Sequence, residues 1–176
     1  MSACYISPAD TAKLVRKALK ASFPSTTFAV RTKVYSGGAS ISVSWTDGPL
    51  TEQVEHVAGQ FAGASFDGMT DMKTYHTDYL VGENTIKAIR YGADFVFCTR
   101  HISKQLGERA LRYVRAQCGN DWPEEVAVQE SVCGGCYLVG ARTFRPFNGV
   151  EYLDQVWAKT AHMMTESGCI MRLHHR

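Results

Sequence analysis

The run Ala39-Ser40-Ile41-Ser42-Val43-Ser44-Trp45, entered through Tyr35-Ser36-Gly37-Gly38 and left through Thr46-Asp47-Gly48-Pro49, is the stretch from which the fold can be read. Its residues alternate, with Ile41, Val43 and Trp45 on one side of an extended chain and Ser40, Ser42 and Ser44 on the other. One side suits a core. The other is polar but uncharged. Residues 27–34 are likewise rich in β-branched and aromatic side chains, and the glycine pair between the two runs reads as a hairpin turn.

Working outward, Ser7 is an N-cap for a helix with Pro8 in its first position and Asp10 three residues on, where a carboxylate meets the positive end of the helix dipole. The helix is predicted to reach about Ser22, with Ala12, Val15 and Leu19, helped by Leu14 and Ala18, as its apolar side. Lys13, Arg16, Lys17 and Lys20 share a basic stripe, and Phe23-Pro24 ends the helix. On the other flank Val54, Val57, Ala58 and Phe61 predict a second amphipathic helix from about Thr51, giving the order helix, strand, strand, helix.

Further on, Phe66-Asp67-Gly68-Met69-Thr70-Asp71 reads as a loop entering an extended segment over 72–81, residues 82–90 as a short helix, and residues 94–99 as an apolar strand at a sheet centre. Ser103 opens a helix closed by Gly119, with Leu106, Ala110, Tyr113 and Val114 inward and Arg109, Arg112 and Arg115 outside. The turn cluster Asn120-Asp121-Trp122-Pro123 divides residues 1–119 from 120–176. The latter part reads as a hairpin about Gly134-Gly135 and a helix capped by Asn148, with Glu151 at the capping-box position and Phe147 stapled to Tyr152. Tyr152, Leu153, Val156, Trp157, Thr160 and Met163 or Met164 form its buried stripe. The expected class is α+β: a small, mainly antiparallel sheet with packed helices, extended by a C-terminal hairpin and helix.

With 176 residues and 45% hydrophobic content, the chain can fill one core or two small lobes. No charged stretch followed by an apolar one opens it and no apolar run could span a bilayer, so a cytoplasmic setting without membrane contact is expected, with the six cysteines reduced. The net charge of +2 is distributed in blocks. Basic residues outnumber acidic ones six to one over 1–34 and seven to two over 84–119, and are outnumbered one to seven over 35–83 and five to seven over 120–176. Segregated faces follow, whereas a duplex mimic would need dense negative charge throughout.

Ser7-Pro8, Ala18-Leu19-Lys20, Phe23-Pro24, residues 40–49 and residues 66–71 together resemble the large polyvalent protein-associated domain numbered 29, over roughly Tyr5 to Ser103. The resemblance implies a phage or plasmid protein expressed inside a bacterium and acting against host defences, as an anti-CRISPR or antirestriction protein does. It supplies no catalytic residues.

Among motifs, Cys133-Gly134-Gly135-Cys136 could aim two thiolates at one zinc ion, with Cys169 and His174 as the best further ligands and His162 and His175 as substitutes. The plainer alternative is a pair of small buried thiols. A redox dithiol lacks the surrounding βαβ pattern. Asp47, Asp67, Asp71 and Asp78 could gather a magnesium ion, but Asp-Gly pairs usually serve turns. Cys98 with His76 or His101 is the candidate nucleophile, set in an apolar strand that favours inert packing. The two basic helix faces, with Arg31, Lys33, Arg90 and Arg100, are either solvated surface or a footprint for a partner, and the pI of about 8.2 is low for a dedicated DNA-binding domain.

The reading that follows is a non-enzymatic protein that holds a host defence protein or ribonucleoprotein complex. Its candidate contacts are Lys13, Arg16, Lys17, Lys20, Asp47, Asp67, Asp71, Arg109, Arg112 and Arg115, with no cofactor unless the cysteine pair holds zinc. The alternative is a module that binds nucleic acid directly through the basic helices. A metal or thiol enzyme built on Cys133, Cys136, Cys169 and a histidine stands third.

Overall fold

The computed structural model describes residues 3–81, 86–118, 126–140 and 152–165. The chain groups into two compact units, one of residues 1–45 and 51–99 and the other of residues 46–50 and 100–176. This grouping differs from a division at 119: the helix expected to close the first part belongs to the second unit.

The first unit opens with β1 (Cys4–Ile6) and α1 (Pro8–Ser22). The Ser7 hydroxyl accepts from Asp10 N at 3.2 Å, so a free amide of the first turn is capped as the sequence predicts. Ala12, Val15 and Leu19 are fully buried, each contributing up to about 1.5–3 kcal/mol for a Val or Leu side chain. Thr11 joins them because its hydroxyl donates to Ser7 O at 2.9 Å, whereas Leu14 lies at the surface. Phe23 ends the helix.

Then follow β2 (Ala29–Tyr35) and β3 (Gly38–Thr46), an antiparallel hairpin in the expected place, with Arg31 opposite Ser42 and Lys33 opposite Ser40. Ile41, Val43 and Trp45 point into the core, where α1 and the next helix, α2 (Thr51–Ala58), pack over them. A single 3-10 turn, Gly59–Phe61, extends α2.

The run predicted as a loop is instead the turn of a hairpin. β4 (Ala64–Asp67) pairs with β5 (Met72–Tyr75), so Phe66 and Asp67 are already in a strand. β6 (Asp78–Val81) pairs antiparallel with β7 (Ile86–Tyr91), and β7 pairs parallel with β1. The short helix expected over 82–90 is therefore corrected for residues 86–90, which form a strand paired on both sides, by β1 and by β6, with Ile89 buried. Residues 82–85 lie outside the described residues.

β8 (Phe95–His101) pairs at one side of β3 in the order β2-β3-β8. It is an edge strand, not the sheet centre. Val96 and Cys98 pack on the core while Phe97 is 56% exposed. Asp94, just before it, is buried, accepts Ala39 N at 3.1 Å and pairs with Lys73 Nζ at 2.7 Å.

In the second unit, α3 (Lys104–Cys118) starts from Ser103, whose hydroxyl accepts Leu106 N. Leu106, Ala110 and Val114 are buried as expected, but Tyr113 is 43% exposed and Leu111 takes its place against the core. β9 (Ala127–Glu130) and β10 (Cys136–Val139) form the predicted hairpin, though through a five-residue connection, 131–135, and not a two-residue glycine turn. α4 (Leu153–Met163) buries Leu153, Val156, Trp157 and Ala161. It begins at Leu153 with Tyr152 in the cap position and no side-chain cap; Phe147, Asn148 and Glu151, expected at its start, lie outside the described residues. Trp157 Nε1 donates to Gly107 O at 2.8 Å, and a Cβ on Gly107 would lie 2.7 Å from Cys136 Sγ, so glycine there sets how closely the hairpin and α4 approach α3.

Candidate partner-binding surface

On α1, a helical spacing of three and four residues brings Lys13, Arg16, Lys17 and Lys20 to one exposed face, as predicted. Their partners differ. Lys13 Nζ lies 2.8 Å from Asp10 Oδ1, and its ammonium, followed by the Ser7 hydroxyl, holds the Asp10 carboxyl below its ordinary range. Arg16 Nη2 donates to Val30 O at 2.7 Å, anchoring one arm of its guanidinium to the sheet. Lys17 and Lys20 meet no carboxylate among the described residues, and neither does Arg16. Beside the end of the helix a groove of about 310 Å3 is lined by Arg16, Lys20, Pro24, Thr26, Thr27 and Phe28. It joins two cations to an aromatic wall.

Asp67, the last residue of β4, leads into the β4–β5 turn that Asp71 closes. Met69 N and Thr70 Oγ1 each donate to the Asp67 carboxylate at 2.9 Å, and these bonds, the backbone one first, lower its pKa. Asp71 is exposed in the left-handed region at φ 52°. Both do turn work while remaining accessible.

The remaining candidates belong to the second unit. Asp47, also left-handed at φ 53°, accepts Ser103 N through Oδ1 at 2.8 Å and so supports the entry to α3. Arg112 and Arg115 are exposed and Arg109 is half-buried. Cys133 is exposed in the hairpin connection, whereas Cys136 is half-buried with its thiol directed at Ser103 O, 3.5 Å away. Burial, and then the Asp47 charge, push the Cys136 thiol up to about 11. Cys169 and His174 lie outside the described residues. Among the described residues no three Cys, His, Asp or Glu side chains converge as a metal site requires.

Cys98 is held similarly. Burial, followed by the Glu55 charge, pushes it up to about 11, which keeps it a neutral core thiol at physiological pH.

Arg100, grouped by sequence with the basic surface, is corrected to a buried structural residue. Its Nε donates to Asp47 O at 2.9 Å, Nη1 to His162 O at 2.7 Å, and Nη2 to Met164 O at 2.8 Å and Gly48 O at 3.2 Å. It joins the 46–50 turn to the carbonyl end of α4, where a cation is favoured.

Helices and small, mostly antiparallel sheets, with an exposed cationic helix face, define an α+β protein. Among the described residues no helix is long and apolar enough to cross a membrane. The chain belongs to the family described as large polyvalent protein associated domain 29, whose model matches residues 6–103, and is thereby a phage or mobile-element associated protein. No curated protein and no solved structure matches it.

Proposed function

We propose that this protein is a non-enzymatic inhibitor that binds a host defence complex, such as a CRISPR effector or a restriction system, through the exposed face of α1. The observation that carries the reading is the set Arg16, Lys17 and Lys20, three neighbouring cations with no carboxylate among the described residues, of which Arg16 and Lys20 line the groove at the helix end. Cations left without a carboxylate among the described residues steer and orient an acidic surface, and a partner supplying that surface gains the charge pairing that these residues leave open. Family membership supports the mobile-element setting. The neutral, half-buried state of Cys98 and Cys136 supports binding over thiol chemistry at those positions.

Affinity capture from a bacterial lysate, with and without nuclease, tests the reading. A protein or ribonucleoprotein complex of a defence system should be retained by the wild type and lost when Lys13, Arg16, Lys17 and Lys20 are all changed to Glu, with the fold intact by circular dichroism. Equal recovery by the charge-reversed chain would remove α1 from the interface.

A further inference from the structure

The face of the β2-β3-β8 sheet turned away from α1 has an unusual composition. Alternation places Arg31 and Lys33 on it from β2, Ser40, Ser42 and Ser44 from β3, of which Ser40 is buried, and Phe95 and Phe97 from β8, since Val30, Ile41, Val43, Val96 and Cys98 pack inward. Arg31, Lys33, Ser42 and Phe97 are exposed. The two phenyl rings lie 6.1 Å apart between centroids, and Lys73 Nζ stands 5.6 Å from the Phe95 ring. None of the three strands contains an Asp or Glu, and neither Arg31 nor Lys33 meets a carboxylate among the described residues.

We infer that this face binds single-stranded nucleic acid. With strands about 4.8 Å apart, a cationic row and an aromatic row flank a hydroxyl-lined middle strand at a separation of about 10 Å. A strand of nucleic acid lying along β3 meets Arg31 and Lys33 with its phosphates, the serines with phosphate or sugar oxygens, and Phe95 and Phe97 with unstacked bases. A duplex cannot offer those bases because they are stacked on one another. A protein partner fits less well, since serine and lysine are depleted from the centres of protein interfaces. The site is separate from the α1 face and stands or falls independently of the inhibitor reading.

The test is fluorescence anisotropy of the full chain with labelled oligo-U and oligo-dT of about 12 nucleotides and with a duplex of equal length, between about 50 and 200 mM salt. Single strands should bind saturably and more weakly as salt rises, with the duplex at least about tenfold weaker. Phe97→Leu keeps apolar bulk and removes the ring, and should weaken binding by about fivefold or more, from about 1–3 kcal/mol per stacked base. The double change Arg31→Ser with Lys33→Ser should reduce the salt slope by about 1.4, at about 0.7 per cation for a single strand. Both sites are at the surface, and circular dichroism checks each fold. The inference is overturned by no saturable single-strand binding, by equal affinity for the duplex, or by wild-type affinity in both variants. It is also overturned if Lys17→Glu with Lys20→Glu, and not these variants, abolishes binding, or if Phe97→Leu instead abolishes capture of a protein partner.

Discussion

Removing a guanidinium shared by four carbonyls leaves all four without that donor, so Arg100→Met should destabilise the protein by at least about 3 kcal/mol even though the new side chain fills similar space. Arg100→Lys should recover little, because an ammonium cannot reproduce a planar fork spanning separate acceptors. Urea denaturation measures both. At the same scale, Cys4 and Cys133 are exposed while Cys98 and Cys136 keep their protons to about pH 11. Alkylation near pH 8, mapped by mass spectrometry, should label the first pair well before the second. The half-buried pair also sets a pH dependence. Between pH 9.0 and about 11 the unfolded chain has lost these thiol protons and the folded chain has not, so their contribution is complete below that window and is lost as pH rises through it. A stability that did not fall there, or that fell as steeply with Cys98 and Cys136 both changed to Ala, would contradict the assignment. Sequence reasoning placed Ser7 correctly because a cap acts over three residues. It could not place Arg100, whose acceptors at positions 47, 48, 162 and 164 come together only in the fold.

At the level of elements, α1 and the β2–β3 hairpin were legible because their signals are local: a cap, a helical stripe, a strict alternation and a glycine turn. Ser7→Ala should cost about 1 kcal/mol, measured by urea denaturation. Gly38→Ala should cost more. Its φ is 148°, and a Cβ there would lie 1.6 Å from Asp94 Oδ2, the carboxylate that accepts Ala39 N and pairs with Lys73. Thermal denaturation of this variant should show a larger loss than Ser7→Ala, and the reverse order would contradict the packing described for the turn. The errors fell where non-local pairing decides. Residues 86–91 carry a short ambiguous pattern that becomes a strand because β1, distant in sequence, and the preceding β6 pair on either side of it. The apolar run of β8 suggested a sheet centre, but its Phe95 and Phe97 face outward at an edge.

For the whole molecule, the charge blocks indicated that cations and carboxylates would be segregated, and the α1 stripe does share one face. They could not distinguish cations that remain open to a partner, such as Lys17 and Lys20, from Arg100, which the fold consumes. Nor could a linear reading group the 46–50 turn with residues beyond 99, since that grouping rests on Asp47 bonds to His101 and Ser103. Lys17 and Lys20 are exposed and their side chains hold no bond among the described residues, so reversing these two charges should leave the thermal midpoint within a few degrees of wild type while weakening partner binding, whereas the four-charge reversal also removes the Arg16 bond to Val30 O. The most direct measurement is therefore phage plating on hosts carrying active CRISPR or restriction systems, with the wild-type or charge-reversed chain supplied. Relief of at least one defence by the wild type and by no well-folded charge-reversed chain is the expected result; relief of none, or equal relief by both, would contradict it.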